Sequence, residues 1–371
     1  MKQSKGGQKM DISKIIMFIM VGFMSWGVID KVFFNNRFGY GEKFDEGINS
    51  MGPMAAAMVG FMCLAPVMGK ILTPLVTPFF NFFHADAAML SGTLLSMDMG
   101  GYPLAQEMTS NPEKAIFAGG IYGAVMGPTI TFSIPVALGM LKKEDHKFLS
   151  TGVMIGVIVA PFACLVGGVM MGLPFMTVLQ NLSVSFILAL LLSLGLWKFP
   201  DAMMTGFTYF SKVINVIVYA SLAAAIIEGL TGIVVIPGMA PIGPQLEIVG
   251  IIGITLAGAY PFVHFIISVA GKGLKKIGDL LGVNEATIAG MFGALANSLL
   301  LLDQVDKMDN RGKVMALAFM MPAAFVFGDH LAYASANVQP QLVPIIVSKL
   351  LGGVLAVIIV LFTTKKGKEE K

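Results

Sequence analysis

Apolar positions in this chain run in long unbroken blocks instead of alternating. Blocks cover residues 12–34, 51–76, 87–106, 115–140, 148–172, 177–198, 204–235, 245–270, 285–302, 312–336 and 340–363. About 20 apolar residues in a helix span a bilayer's hydrocarbon core, and barrel strands would instead alternate with a period of two. Between the blocks lie polar stretches: residues 35–49, the charged hairpin 141–147, its counterpart 303–313, and the tail 365–371. The pattern predicts an all-α polytopic membrane protein with about 10–11 transmembrane helices. Residues 1–371 form a single transmembrane domain with no room for a separate soluble one.

Composition narrows the class further. Hydrophobic residues make up 56% of the chain and charged ones only 13%, with a mean hydropathy of +0.80. A soluble domain carries about 25% charged residues. The expected surroundings are therefore a lipid bilayer. The net charge of +3 comes from lysines scattered over loops and tails, which predicts no nucleic-acid partner. Lys2, Lys5, Lys9 and Lys14 precede or open the first apolar block, which is too long for a signal peptide and reads as a retained span. Lysine and arginine counts on alternate sides nearly tie. The first span weakly favours a cytoplasmic N-terminus, and the homo-oligomeric state is left open. Cys63 and Cys164 lie in apolar blocks and read as small core residues. No Cys/His set has zinc spacing, and there is no phosphate loop or nucleophile elbow. The reading is thus a protein without cofactor or metal, neither an enzyme nor a primary pump.

Weak internal repetition follows the blocks. Gly101-Tyr102-Pro103 is echoed by Ala259-Tyr260-Pro261, and Gly120-Ile121-Tyr122-Gly123-Ala124 by Gly290-Met291-Phe292-Gly293-Ala294. The charged hairpin 141–147 is echoed by 303–313, in the same order. Two five-span repeats would cover residues 12–172 and 177–336, with 340–363 as an additional C-terminal span. Five is odd, so the second repeat would be inverted, an arrangement typical of transporters with a midplane site.

Polar residues inside apolar blocks mark that site. Asp329 and His330 stand together in the tenth block, where burying a charge is costly unless it serves a ligand, ion or partner. Asp329, Tyr333 and Asn337 are four apart and would share one helix face. In the third block Asp98 and Tyr102 repeat that spacing. Gly100, Gly101 and Pro103 beside them predict a broken helix, tolerated at membrane depth where it lines a cavity. The plainer reading of Asp98 is a structural pairing with a lysine. Tyr260 and His264 share a face in the eighth block, although a lone histidine is as often structural. The fourth block holds Pro128, Thr129, Thr131, Ser133 and Pro135, and the ninth offers Asn297 and Ser298. Their hydroxyls could equally bond their own helix carbonyls. Two carboxylates with several tyrosine rings suit a small cation. The candidate substrate-binding residues are Asp98, Tyr102, Tyr260, Asn297, Asp329, Tyr333 and Asn337, with His330 and His264 as candidate proton-relay groups.

Several motifs together resemble one family. They are Thr93-Leu94-Leu95-Ser96-Met97-Asp98-Met99-Gly100-Gly101, the run from Met126-Gly127-Pro128 to Ala137-Leu138-Gly139, Gly258-Ala259-Tyr260-Pro261, Met308-Asp309-Asn310-Arg311-Gly312-Lys313-Val314 and Phe327-Gly328-Asp329-His330-Leu331. Over nearly the whole chain it is similar to the EutH-type ethanolamine permeases of bacterial ethanolamine-utilisation operons. The resemblance implies a cytoplasmic-membrane protein that admits ethanolamine by facilitated diffusion for breakdown inside. It assigns no substrate residues. Ethanolamine is a small cation with one hydroxyl, matching carboxylate, ring and amide. Two other readings compete. One is an ion-coupled transporter of another small amine, with Asp329 and His330 relaying protons. The other is an intramembrane aspartyl protease using Asp98 and Asp329, disfavoured because Val326 stands where that pattern requires glycine and Met97 where it requires tyrosine.

Overall fold

The computed structural model describes residues 12–271 and 273–364. The N-terminal lysines Lys2, Lys5 and Lys9 and the charged tail 365–371 lie outside the described residues. The described residues form helices joined by short turns, and eight segments are long and apolar enough to cross a membrane. The first are α1 (Ile12–Phe33) and a pair, α2 (Tyr40–Asn49) and α3 (Met51–Phe82), that continue one another as Tyr40–Phe82. After α4 (Met89–Leu94) and α5 (Tyr102–Met108) comes the segment Pro112–Met140. It contains α6 (Pro112–Ala115), α7 (Gly123–Val125), α8 (Ile134–Met140) and two π-helical turns, Ile116–Tyr122 and Thr129–Ser133. Next come α9 (His146–Met170), α10 (Phe175–Lys198), α11 (Pro200–Thr231) and α12 (Ile242–Ala270). The C-terminal part holds α13 (Leu274–Leu281), α14 (Glu285–Ala294), α15 (Ser298–Leu302), α16 (Asn310–Ala323), α17 (Asp329–Asn337) and α18 (Leu342–Thr363).

Two of the eleven predicted spans turn back instead of crossing. The third block breaks at Leu95 and Ser96, which adopt extended backbone after α4. Its two ends meet: Thr109 Oγ1 donates to Asp86 Oδ2 at 3.0 Å, and Lys114 reaches the same carboxylate at 3.3 Å. Residues 86–109 are therefore a hairpin with its tip at Ser96–Gly101. The ninth block behaves alike. Asn297 is extended, and its side chain accepts from Leu299 N, capping α15. At the base Asn284 N donates to Asp309 Oδ2 at 2.7 Å, and Asn284 Nδ2 to the Lys307 carbonyl at 2.7 Å. A run of about 20 apolar residues has the same composition whether it crosses or folds back, so composition alone could not separate the two.

The hairpins enter from opposite faces. Lys142 bonds Asp306 at 2.8 Å and Lys313 bonds Asp145 at 2.6 Å, so residues 142–145 share a face with 303–313 and with the second hairpin's base. Pro112–Met140 crosses once between 109–114 and 142–145, placing the first hairpin's base on the other face. Each tip meets a crossing segment that is itself broken. A Cβ at Gly127 would collide with the Leu95 carbonyl, and one at Gly328 with the Ala296 carbonyl. Only glycine permits these two crossings. At the second, Phe325 N and Phe327 N donate to the carbonyls of Ala294 and Leu295 at 2.9 and 2.8 Å. These bonds give the backbone groups freed by the two breaks partners inside the bundle.

Candidate substrate cavity at the first hairpin tip

Four elements converge on a cavity of about 160 Å³. The first tip contributes Ser96, Asp98 and Met99, and the broken crossing beside it Pro128 and Phe132. The break before α17 contributes Phe325, Asp329 and His330, and the start of α3 supplies Met54 and Met58. Local sequence explains each placement. At the first tip Met99 and Gly100 (φ 92°) leave helical geometry, and Pro103 starts α5, where its missing N–H costs nothing. Pro128 stops the preceding helical run. Phe325 is held at φ 65°, a left-handed conformation that costs a bulky residue strain and that recurs at functional sites. Gly328 then lets α17 begin at Asp329, whose carboxylate sits at the positive end of that helix.

A short polar chain links the two halves. Ser96 Oγ donates to Asp98 Oδ1, and His330 Nε2 lies 3.0 Å from the same hydroxyl. A hydroxyl has one proton, so His330 Nε2 must carry the hydrogen in this contact. His330 Nε2 is also 3.5 Å from Asp98 Oδ1. The His330 side chain is 1% exposed and its Nδ1 has no partner among the described residues. Asp98 itself is 8% exposed. Rings close the cavity: Phe325 packs edge-to-face on Phe132, with centroids 5.5 Å apart, and against His330 at 5.6 Å.

A second cavity, about 180 Å³, lies on the side of the 303–313 face and is lined by Lys43, Glu46, Tyr260, His264, Asn297 and Leu300. His264 Nε2 is 3.3 Å from the Phe38 carbonyl in the loop between α1 and α2. The Tyr260 hydroxyl stands between the two cavities, in side-chain contact with Asn297 and Asp329.

The predicted site residues thus fall into three groups. Asp98, Asp329 and His330 meet in the central cavity, while Tyr260, Asn297 and His264 line the second. Tyr102, Tyr333 and Asn337 line neither. Tyr333 is 0% exposed with its hydroxyl unpartnered, and Asn337 Nδ2 turns back to the Tyr333 carbonyl at 3.0 Å. Tyr102 accepts from Gln106 at 3.3 Å. The four-residue spacing of Asp98 and Tyr102 does not define a shared face, because the backbone leaves the helix at Met99 and Gly100 between them. His330, a candidate proton-relay group, reaches the first hairpin's tip. Thr131 bonds the Gly127 carbonyl, the plainer of its two readings. Sequence reasoning missed Ser96, Phe132 and Phe325 as cavity residues. It also passed over Lys349, a cation in the middle of the last apolar block, where any ionisable residue warrants attention.

Among the described residues no group of His, Cys, Asp or Glu could hold a metal ion. No solved structure matches the chain. A protein of Listeria monocytogenes named "Probable ethanolamine permease EutH" is 47% identical over 357 residues, covering 96% of this chain and 95% of its own. The Salmonella typhimurium protein of the same name is 38% identical, covering 94% of each chain. The Bacillus subtilis "Uncharacterized protein YxeR" is also 38% identical over 94% of each. The family model described as "Ethanolamine utilisation protein, EutH" matches residues 12–363, and the chain belongs to that family.

Proposed function

We propose that this protein is a permease that admits ethanolamine across the plasma membrane, holding its ammonium between Asp98 and Asp329. One observation carries the site assignment: the two intramembrane carboxylates line one ring-walled cavity, Asp98 from the first hairpin's tip and Asp329 from the break before α17. A buried carboxylate is costly unless paired, and a primary ammonium offers three donors and a full charge. The Phe132 and Phe325 faces add cation–π attraction. Tyr260 and Asn297 read the substrate hydroxyl on the way to the second cavity, the route toward the 303–313 face. Substrate enters down its own gradient by facilitated diffusion.

The opposed hairpins favour an inverted arrangement in which residues 86–140 correspond to 284–337. That register differs from all three sequence echoes, which pair 101–103 with 259–261, 120–124 with 290–294 and 141–147 with 303–313; the last two segments share one face, where inverted counterparts would be opposed. Alternating access would then open the cavity to one face at a time as one hairpin lifts from its broken partner. The protease reading is not favoured, since Asp98 engages Ser96 and His330 and Asp329 faces Tyr260, whereas a protease pair shares a proton between its carboxyls. Saturable uptake of labelled ethanolamine into proteoliposomes of the purified protein tests the proposal. Uptake no faster than in protein-free vesicles rejects it. Imposed proton and sodium gradients that leave the rate unchanged support simple facilitation over ion coupling.

A further inference from the structure

Lys349 is a fully buried ammonium, 0% exposed, in the middle of α18. Its Nζ donates to the Ala124 carbonyl at 2.5 Å. That carbonyl is free for a local reason. The helical donor for residue 124 would be the amide of residue 128, and Pro128 has none. The same proline lines the central cavity. Gly123, the neighbour of Ala124, packs against the first tip, where a Cβ on it would lie 3.5 Å from Met97 N beside Asp98. Asp98, Asp329 and His330 line this space and Lys349 stands behind it, with Tyr260, Tyr333 and Cys164 as the neighbouring titratable groups.

We propose that Lys349 is the cavity's resident counter-cation, which loosens the hold of the carboxylates on the substrate so that it can leave. With both carboxylates ionised and Lys349 charged, the site is short of a single positive charge, the charge of one ammonium substrate. Two carboxylates without that lysine would trap a cation. A transport site must bind well enough to load and weakly enough to unload. Repulsion between Lys349 and the substrate ammonium supplies the second condition. This role rests on the reading of the cavity as an ammonium site.

The test separates this role from simple support of the Ala124 carbonyl. Lys349→Gln keeps a donor for that carbonyl and loses the charge, and Lys349→Arg keeps both. Equilibrium ethanolamine binding, counterflow rate and melting temperature are measured on the purified full chain. Lys349→Gln is expected to bind ethanolamine about tenfold tighter and to exchange it more slowly, with Lys349→Arg near wild type. If Lys349→Gln does not fold, Lys349→Met, equally uncharged, takes its place. Unchanged or weaker binding in a folded uncharged variant overturns the proposal. A wild type that binds no ethanolamine instead overturns the functional reading on which it rests.

Discussion

Asp98→Asn removes a charge from the central cavity and almost no volume. The Ser96 hydroxyl can still donate to the new amide oxygen, so the tip geometry has little reason to change. What is lost is the pairing of a substrate ammonium with a carboxylate. A hydrogen bond to a charged partner contributes about 1.5–3 kcal/mol against about 1 kcal/mol for a neutral one. Direct attraction between unit charges about 4 Å apart at an effective dielectric constant near 20 sets an upper bound of about 4 kcal/mol. The difference of about 0.5–2 kcal/mol lowers the affinity for ethanolamine by about two- to thirtyfold, and the upper bound corresponds to several hundredfold. Folding should change less. Asp98 is 8% exposed, and the desolvation relieved by neutralising it offsets its weakened contacts with Ser96 and His330, so the melting temperature should stay near that of wild type. Calorimetric binding and thermal melting on the same preparation separate the two effects. Affinity within about twofold of wild type, where tenfold is a difference of 1.4 kcal/mol, would refute a substrate role for Asp98. A loss of affinity that merely tracks a lower melting temperature would refute the electrostatic reasoning.

Three further outcomes follow from the same geometry. Gly328→Ala drives a Cβ into the Ala296 carbonyl and should cost about 1–3 kcal/mol, seen as a lower melting temperature together with lost uptake. Lys313→Met leaves Asp145, whose side chain is 2% exposed, without its cation, and should destabilise by about 3–5 kcal/mol in thermal or denaturant unfolding. The exposed bond from Lys142 holds the Asp306 carboxyl below the usual carboxylate range. Its stabilisation is therefore present at neutral pH and is lost as pH falls through that lowered value. Asp306→Asn should remove this acid-side dependence from melting curves and leave melting at pH 7 nearly unchanged, because exposed pairs are worth little.

Much of the class was legible in the residue pattern, because long apolar blocks without alternation admit few solutions in a bilayer. The break near Asp98 was foreseen from Gly100 and Pro103, although the chain turns earlier, at Leu95 and Ser96. The hairpins were not foreseen, since their signals are single capping residues such as Asn297 and clusters joining positions over 20 residues apart, such as Asp86 with Thr109. Asp98 and Asp329 could be paired from sequence by the cost of burying charge. Tyr333 and Asn337 could not be placed, because helical spacing fixes a shared face without saying which neighbour covers it. His330 could be marked from sequence but not paired, because its partner, Ser96, is 234 positions away.

If the cavity between the first hairpin's tip and the break before α17 is the transport site, its two carboxylates are what carry ethanolamine. Uptake of labelled ethanolamine into proteoliposomes, comparing wild type with the Asp98→Asn/Asp329→Asn double variant at matched reconstitution, tests it most directly. Saturable wild-type uptake is expected, which unlabelled ethanolamine competes away and the uncharged diol of similar size does not. Uptake by the folded double variant should be no faster than in empty vesicles. A double variant that transports at the wild-type rate would contradict this role of the carboxylates.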